Sequence, residues 1–347
     1  MGILNKADFF IRLLCFNALG KRSPLTVIFN VTDRCNLQCD YCYADYYKRD
    51  HETLSLEEIL KVLGELSKMG CKRISLSGGE PLIRKDIGEI IGYIKKRGME
   101  CAINSNGVLV PKKIDLIKGI DSLCLSLDGG EQAHDSCRGK GSFQKVIEAI
   151  EYAGKYKIPL VTNTVLHKNN LHSIDFVLEL AKKYGFLAEF NLSIAHLINS
   201  DKNAEYKGND EEIKEALSKI IDYKKRGYPI LFSKKAFEYS LSWPTYQVEA
   251  YYNNPPAFEH AKCTAGKYFC IFDTNGDVYP CPHLIGKYKP VNAVKEGFKK
   301  AFVDLDRHNC KACYQVYHNE FNLLFHLDFS IICNYIKNSL QAINFRN

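Results

Sequence analysis

The sequence predicts an α/β fold built on a parallel sheet, and three observations predict it. Short strand-like runs alternate with amphipathic helical runs from residue 25 onward. The alternation repeats six times in roughly 170 residues, and repeated β–α units need crossover connections that make neighbouring strands parallel. The chemistry-bearing motifs follow the first four strands. Such a sheet is either open and doubly wound or curled into a barrel, where chemistry sits at the C-terminal ends of the strands.

Residues 7–20 place Phe9, Phe10, Leu13, Leu14 and Phe16 on approximately one helical face. A helix packed on the body of the protein is expected, with a peripheral membrane contact as the alternative. Strands are predicted at Leu25–Asn30, Arg73–Leu76, Glu100–Asn104, Ser122–Leu127, Leu160–Val165 and Ala188–Ile194. Helices are predicted between them near 55–69, 86–97, 111–118, 142–155 and 171–184, with another at 210–226. Residues 243–262 are rich in Tyr, Asn and Pro and read as a linker or irregular cover. Cysteine density rises again between Cys263 and Cys313, over a stretch too short for a large core of its own, so a bound metal would help to hold it. The tail from Asn319 to Phe345 is apolar and expected to be helical. No run of about eighteen uninterrupted apolar residues occurs, so no membrane-spanning helix is expected.

Hydrophobic residues at 46% and charged residues at 25% match a globular protein with a full core. The net charge of +7 comes from scattered lysines rather than a basic run, so a nucleic-acid partner is not expected. The 14 cysteines depart from ordinary usage. Secreted disulfide scaffolds are short and carry a signal segment. This chain has neither feature, so the expectation is a cytoplasmic protein whose clustered cysteines are metal ligands.

Directly after the first strand the chain reads CNLQCDYC, spacing Cys35, Cys39 and Cys42 as C-x3-C-x2-C. Three thiolates this close on one loop can converge on a single metal site. Zinc would want a fourth ligand nearby, and His51 lies nine residues beyond Cys42. A four-iron cluster held by three ligands instead keeps one iron open to a substrate or cofactor. The second strand is followed by Ser77-Gly78-Gly79-Glu80-Pro81. Its glycines let backbone approach a ligand closely, and Glu80 offers a carboxylate to a ligand ammonium group. Alone, the segment reads equally as a strand-to-helix turn.

CNLQCDYC, followed one β–α unit later by SGGEP, resembles the radical S-adenosylmethionine (radical SAM) superfamily. The resemblance implies a [4Fe–4S] cluster on Cys35, Cys39 and Cys42 whose open iron chelates the amino and carboxylate groups of S-adenosylmethionine. Reduction then breaks a carbon–sulfur bond and yields a 5′-deoxyadenosyl radical. It also implies a cofactor site containing Gly78, Gly79, Glu80 and Pro81, with Tyr41 on the adenine. Asn104, Ser126 and Asp128 would line the ribose and methionine parts, Arg138 would pair with the cofactor carboxylate, and Asn163 is a further candidate. Taken singly, these later segments also read as turn chemistry. An electron donor such as flavodoxin or ferredoxin is implied as a partner.

The second cysteine group begins as C-x12-G-x4-C, from Cys263 through Gly276 to Cys281. Asn275-Gly276 predicts a hairpin turn, a helix is expected at about 293–302, and Cys310 and Cys313 add C-x2-C. The ordered set resembles the SPASM and shorter twitch extensions of radical SAM enzymes. A full SPASM pattern continues with another cysteine soon afterwards, where His318 stands here, and the next cysteine is Cys333. The resemblance therefore implies the twitch form, with one auxiliary [4Fe–4S] cluster closed by Cys263, Cys281, Cys310 and Cys313. Cys270 and Cys333 are left over and read as core thiols. A structural zinc site is the alternative for this segment.

Together these expectations give a partial (β/α)6 TIM-like barrel with a small C-terminal twitch-type extension. Residues 1–24 form an N-terminal helix, 25–230 the barrel, 231–262 a linker or cover, 263–318 the auxiliary-cluster segment and 319–347 a helical tail. The expected enzyme abstracts a hydrogen atom from a small metabolite or a glycan-type or lipid-linked precursor. A ribosomal-peptide maturase and a tetrapyrrole-modifying enzyme are the alternatives, and a non-catalytic zinc or iron–sulfur protein is the rival from another class. The peptide reading is lowered because 24 residues precede the first strand, too few for the peptide-binding domain many such enzymes carry. A molybdopterin-precursor synthase is disfavoured because the FRN tail lacks that group's basic motif. No catalytic residue is assigned.

Overall fold

The computed structural model describes residues 3–42, 54–193 and 208–344; His51, Ile194 and Phe345, named above, lie outside them. After α1 (Ile3–Ala18), strands and helices alternate: β1 (Thr26–Thr32), α2 (Leu56–Lys68), β2 (Arg73–Gly78), α3 (Ile87–Lys96), β3 (Glu100–Ser105) and α4 (Val110–Ile117). They continue through β4 (Ser122–Ser126), α5 (Glu131–Arg138), α6 (Ser142–Lys155), β5 (Leu160–Leu166), α7 (Ile174–Tyr184) and β6 (Leu187–Leu192). The six strands pair in sequence order, all parallel. Local signals set the boundaries. Ser55 and Glu58 close a reciprocal capping box at the start of α2, and Gly185 ends α7 in the left-handed conformation.

The strands alternate in a way that makes the interior a chamber. On β2, Ile74 and Leu76 are fully buried among the helices, while Arg73, Ser75 and Ser77 line a central cavity. On β6, Ala188 and Phe190 are buried, while Leu187, Glu189 and Asn191 line the cavity. Side chains alternate across a strand, so one polar inward line per strand is enough to keep the barrel from filling with aliphatic groups.

The segment expected as a separate extension continues the barrel sheet. Strand β8 (Phe269–Phe272), which follows β7 (Ala250–Tyr252), pairs in parallel with β1, and the Phe29 and Phe272 rings stack at 4.2 Å. Strand β9 (Asp277–Tyr279) pairs antiparallel with β8 through the predicted Asn275-Gly276 turn, where Gly276 has φ +90°. Strand β10 (Val291–Asn292) completes that edge of a nine-stranded sheet. The helix expected at 293–302 is instead two, Ala293–Glu296 and Phe298–Asp304, broken at Gly297 with φ +87°.

The 231–262 stretch is more ordered than a linker. It contains the helix Lys234–Leu241 and β7, which pairs antiparallel with β11 (Cys310–Cys313). Its aromatic residues are packing groups: Trp243 and Tyr246 are buried and meet the ring of Tyr314 edge-on. The tail forms two helices, Val316–Phe325 and Phe329–Asn344. Helix α1 packs on the second of these, with Phe10 edge-on to Tyr335 at 5.5 Å, and Tyr335 in turn lines the cavity. Leu14, placed on the apolar face by sequence, is 52% exposed. Among the described residues, no helix is long and apolar enough to cross a membrane.

One close approach fixes the cavity mouth. The chain leaving β1 runs across the end of β2, where Gly79 N–H donates to the Thr32 carbonyl at 2.8 Å and Glu80 N–H to the Arg34 carbonyl at 2.9 Å. A Cβ on Gly78 would sit 2.2 Å from the Thr32 oxygen, and one on Gly79 would sit 2.3 Å from the Arg34 oxygen. The glycines are thus needed where backbone meets backbone, as well as for any ligand. Gly78 also has φ +128°. Gly78→Ala is expected to lower stability by about 2–4 kcal/mol through overpacking and a disfavoured φ. Urea denaturation followed by circular dichroism tests this, and an unchanged midpoint would remove close approach as the reason for the glycine.

Candidate active site

Cys35, Cys39 and Cys42 lie on the loop after β1 and all three line the cavity. The loop is tied down at several points. Asp40 N–H donates to the Cys137 carbonyl on α5 at 3.0 Å, and Cys42 N–H to the Cys39 carbonyl at 3.1 Å. The Asn106 amide donates to Asn36 Oδ1 at 2.8 Å and approaches the Cys35 sulfur at 3.9 Å. Arg138 Nη1 lies 3.8 Å from the Cys39 sulfur. Burial pushes the Cys39 thiol up to about 11, with Arg138 opposing the shift, and burial also raises Cys35.

Glu80 does not line the cavity. Its fully buried carboxylate accepts from Leu82 N–H at 3.1 Å, Ser105 O–H at 3.0 Å and Asn106 N–H at 2.8 Å. The carboxylate braces the loop after β2 against the end of β3. Pro81 opens the short helical turn that follows. Gly78 and Gly79 do line the cavity and leave a side-chain-free stretch of wall there.

Asp128 is likewise buried and off the cavity wall. It accepts from Tyr41 O–H and from Arg138 Nε, each at 2.5 Å, and from Val165 N–H at 3.1 Å. Burial alone would raise this carboxyl, but Arg138, His134 and Tyr41 together hold it below the usual range. Asp128 thus ties Tyr41 on the cysteine loop to Arg138 on α5. The two groups it fixes, Tyr41 and Arg138, do line the cavity, with the guanidinium 5.3 Å from the ring centroid. Asn104, Ser126 and Asn163 line it too, and Asn163 Oδ1 accepts from Asn191 at 3.1 Å.

The cavity measures about 930 Å³, at the upper end of small-molecule sites. It runs from the cysteine loop to the opposite strand ends at Arg73 and Glu100 and to Tyr335 on the second tail helix. Sequence reasoning missed Arg73, Glu100, Cys124, Glu189, Asn191 and Tyr317, all of which line it. The available signal was polar residues at alternate positions inside strands expected to be buried.

Cys263, Cys281, Cys310 and Cys313 line one small pocket, and Cys263 and Cys310 share a hydrogen bond. Burial raises Cys281 and Cys313, and neighbouring thiols add to both shifts. His318 and Phe321 line this pocket and the central cavity alike, so they form the partition between the two. Cys270 faces the main core instead, and Cys333 is exposed. Among the described residues, no three His, Cys, Asp or Glu side chains converge on a single metal-ion position. Thiols are the ligands that iron–sulfur clusters take, and both cysteine groups supply them.

Burial pushes the half-buried Glu189 carboxyl up to about 7 from an ordinary 4.5, against the pull of Arg73. The folded chain then holds this proton to higher pH than the unfolded chain, so its contribution to stability falls as pH rises from 4.5 to about 7. Glu189→Gln is expected to flatten that part of the stability–pH curve. Urea midpoints of both proteins across the window provide the test, and parallel curves would contradict it.

Comparison with known proteins follows the same lines. Residues 29–181 match the Radical SAM superfamily. The chain is 27% identical over 286 residues to the mycofactocin maturase MftC of Mycolicibacterium smegmatis, covering 80% of this chain and 69% of that protein. It is 28% identical over 281 residues to the AdoMet-dependent heme synthase of Methanosarcina barkeri, covering 76% of this chain and 78% of that one. Streptococcus suis SuiB bound to the precursor peptide SuiA shares the fold, with a TM-score of 0.65 at 16% identity over 83% of this chain and 67% of that one.

Proposed function

Since the chain belongs to the Radical SAM superfamily and is an enzyme, we propose that it cleaves S-adenosylmethionine reductively and turns the resulting radical on a substrate in the barrel. Cys35, Cys39 and Cys42 are the ligands of the [4Fe–4S] cluster in this reading. When bound, the cluster supplies the electron that breaks the carbon–sulfur bond, leaving methionine and a 5′-deoxyadenosyl radical that takes a hydrogen atom from the substrate. The observation that carries the reading is the convergence of these three thiols with Gly78, Gly79 and Arg138 on the wall of one deep cavity.

The chain's own residues then divide the work. Tyr41 offers an aromatic face to the adenine, and Arg138 a cation to the cofactor carboxylate. Asp128 holds both in place from behind. Asn104, Ser126 and Asn163 present polar groups from three neighbouring strands. Glu80 keeps the glycine wall and the Asn106 loop together. The apolar shell around the strands limits water, which protects a reactive intermediate. Electrons come from a flavodoxin- or ferredoxin-type donor.

Cys263, Cys281, Cys310 and Cys313 close an auxiliary [4Fe–4S] cluster in the same reading, leaving no iron free for substrate. Behind the His318–Phe321 partition, such a cluster is placed to take up an electron from the substrate side. A precursor that inserts one reactive group into the chamber is the favoured substrate. The sequence alone favoured a small metabolite or glycan-type molecule. The maturase and heme synthase relatives, and the peptide bound to SuiB, move the weight toward a larger precursor.

Replacing Cys35, Cys39 and Cys42 together by Ala is expected to abolish 5′-deoxyadenosine formation while about four irons stay bound. Cys281→Ala or Cys310→Ala should remove the other four or so, and Cys270→Ala should remove none. Iron analysis and chromatography of the dithionite-reduced protein read both. Undiminished 5′-deoxyadenosine in the triple variant would sink the proposal.

A further inference from the structure

Arg73 is the first residue of β2, five positions before Gly78 and at the strand end away from the cysteine loop. Its interior line continues through Ser75 and Ser77. Its register partner on β3 is Glu100, and both side chains line the same cavity that reaches Cys35. Among the described residues the guanidinium of Arg73 makes no hydrogen bond and no ion pair; its backbone N–H donates to the Leu25 carbonyl at 3.1 Å. Arg12, Arg22, Arg84 and Arg138, the other arginines held in partly or fully enclosed surroundings, all have a carboxylate partner. Glu100 and Glu189 are near enough for their charges to act on Arg73, yet neither touches it.

A guanidinium enclosed by protein on most sides gives up hydration, and that is unfavourable unless another group replaces the water. A charge kept only for stability would be expected to contact Glu100, its register neighbour. Instead the planar fork of five donors is left facing open volume. That fork matches a carboxylate with two parallel hydrogen bonds. Glu100 and Glu189 flank the position, and a singly charged carboxylate meets half the repulsion there that a doubly charged phosphate does.

We infer that Arg73 anchors a carboxylate of the substrate inside the barrel, so that the substrate is a carboxylic acid held with its reacting carbon toward the cysteine loop. Five residues of strand span roughly 16 Å. The arginine side chain fills part of that distance and the cofactor another part. The remaining depth suits a short acyl or amino-acid-sized group and excludes a glycan chain. The inference rests on the proposed use of this cavity as the radical's reaction chamber, and it narrows the substrate to a class that the cysteine motifs do not specify. The acid is either a free metabolite or an acidic group of a peptide.

The test uses the cluster-loaded enzyme with S-adenosylmethionine present. The probes are straight-chain carboxylates of two to six carbons, the matched primary amides, and a capped tetrapeptide with Glu or Gln at one position. Binding is read by ligand-observed NMR, and 5′-deoxyadenosine formed on dithionite reduction without substrate is read alongside. At least one carboxylate, free or in the peptide, should bind tenfold or more tightly than its amide. The free acid or the peptide identifies the source by being the one that binds. Arg73→Gln should abolish that preference and leave background 5′-deoxyadenosine unchanged. Arg73→Lys, which keeps the charge but loses the fork, should weaken the preference severalfold and covers the case in which Arg73→Gln does not fold.

Equal binding of acids and amides to the parent enzyme overturns the inference, as does a full preference in Arg73→Gln or Arg73→Lys. Loss of background 5′-deoxyadenosine in Arg73→Lys also overturns it, by making the residue structural. Absence of 5′-deoxyadenosine from the parent enzyme, with the carboxylate preference intact, counts against the proposed radical chemistry and not against the anchor.

Discussion

The buried carboxylate of Glu80 holds the mouth of the barrel together. It accepts from the backbone of its own loop, from the Ser105 hydroxyl at the end of β3 and from the Asn106 amide beyond it. Asn106 in turn reaches Asn36 and Cys35. Three chain segments that are far apart in sequence are thereby fixed within one hydrogen-bond network. Burial pushes this carboxyl up to about 7, even though three kinds of donor favour the charged form. Burying such a group without partners would be strongly unfavourable, so the network and the charge require one another.

A second buried carboxylate, Asp128, does the same work on the other side of the mouth. Its partners Tyr41 and Arg138 come from the cysteine loop and from α5. The two acids are not exposed to the cavity; they stand behind the groups that are. Geometry at a reactive site is only as good as the residues that lock it. In this barrel the locking residues are charged and internal, and the wall they support is largely glycine, amide and hydroxyl.

Much of this was legible in the sequence. The six β–α units showed in the periodicity, and both cysteine groups showed in their spacing. What the sequence concealed is physical in origin. A motif states which residues belong together but not which way each side chain turns, and Glu80 and Asp128 turn into hydrogen-bond networks behind the cavity wall. Register is also invisible in one dimension. Nothing local to Phe269–Phe272 announces that it will pair with β1. Trp243 and Tyr246 lie among Pro and Asn residues that favour loops, yet tertiary burial overrode that signal. Arg73 stood out only as the start of a strand, because only the closed sheet makes its side of the strand an interior.

The parallel pairing of β8 with β1 bears on modularity. A chain cut before Cys263 would lose more than an auxiliary site. It would uncover the hydrogen-bonding edge of β1 along Thr26–Phe29, expose the ring face of Phe29 and strip the Asn30 amide of its Asp273 acceptor. A bare, apolar strand edge is a template for pairing with other chains. The C-terminal quarter therefore also acts as a safeguard against aggregation, and shuffling it between related enzymes demands that the donated strand match the edge it must cover.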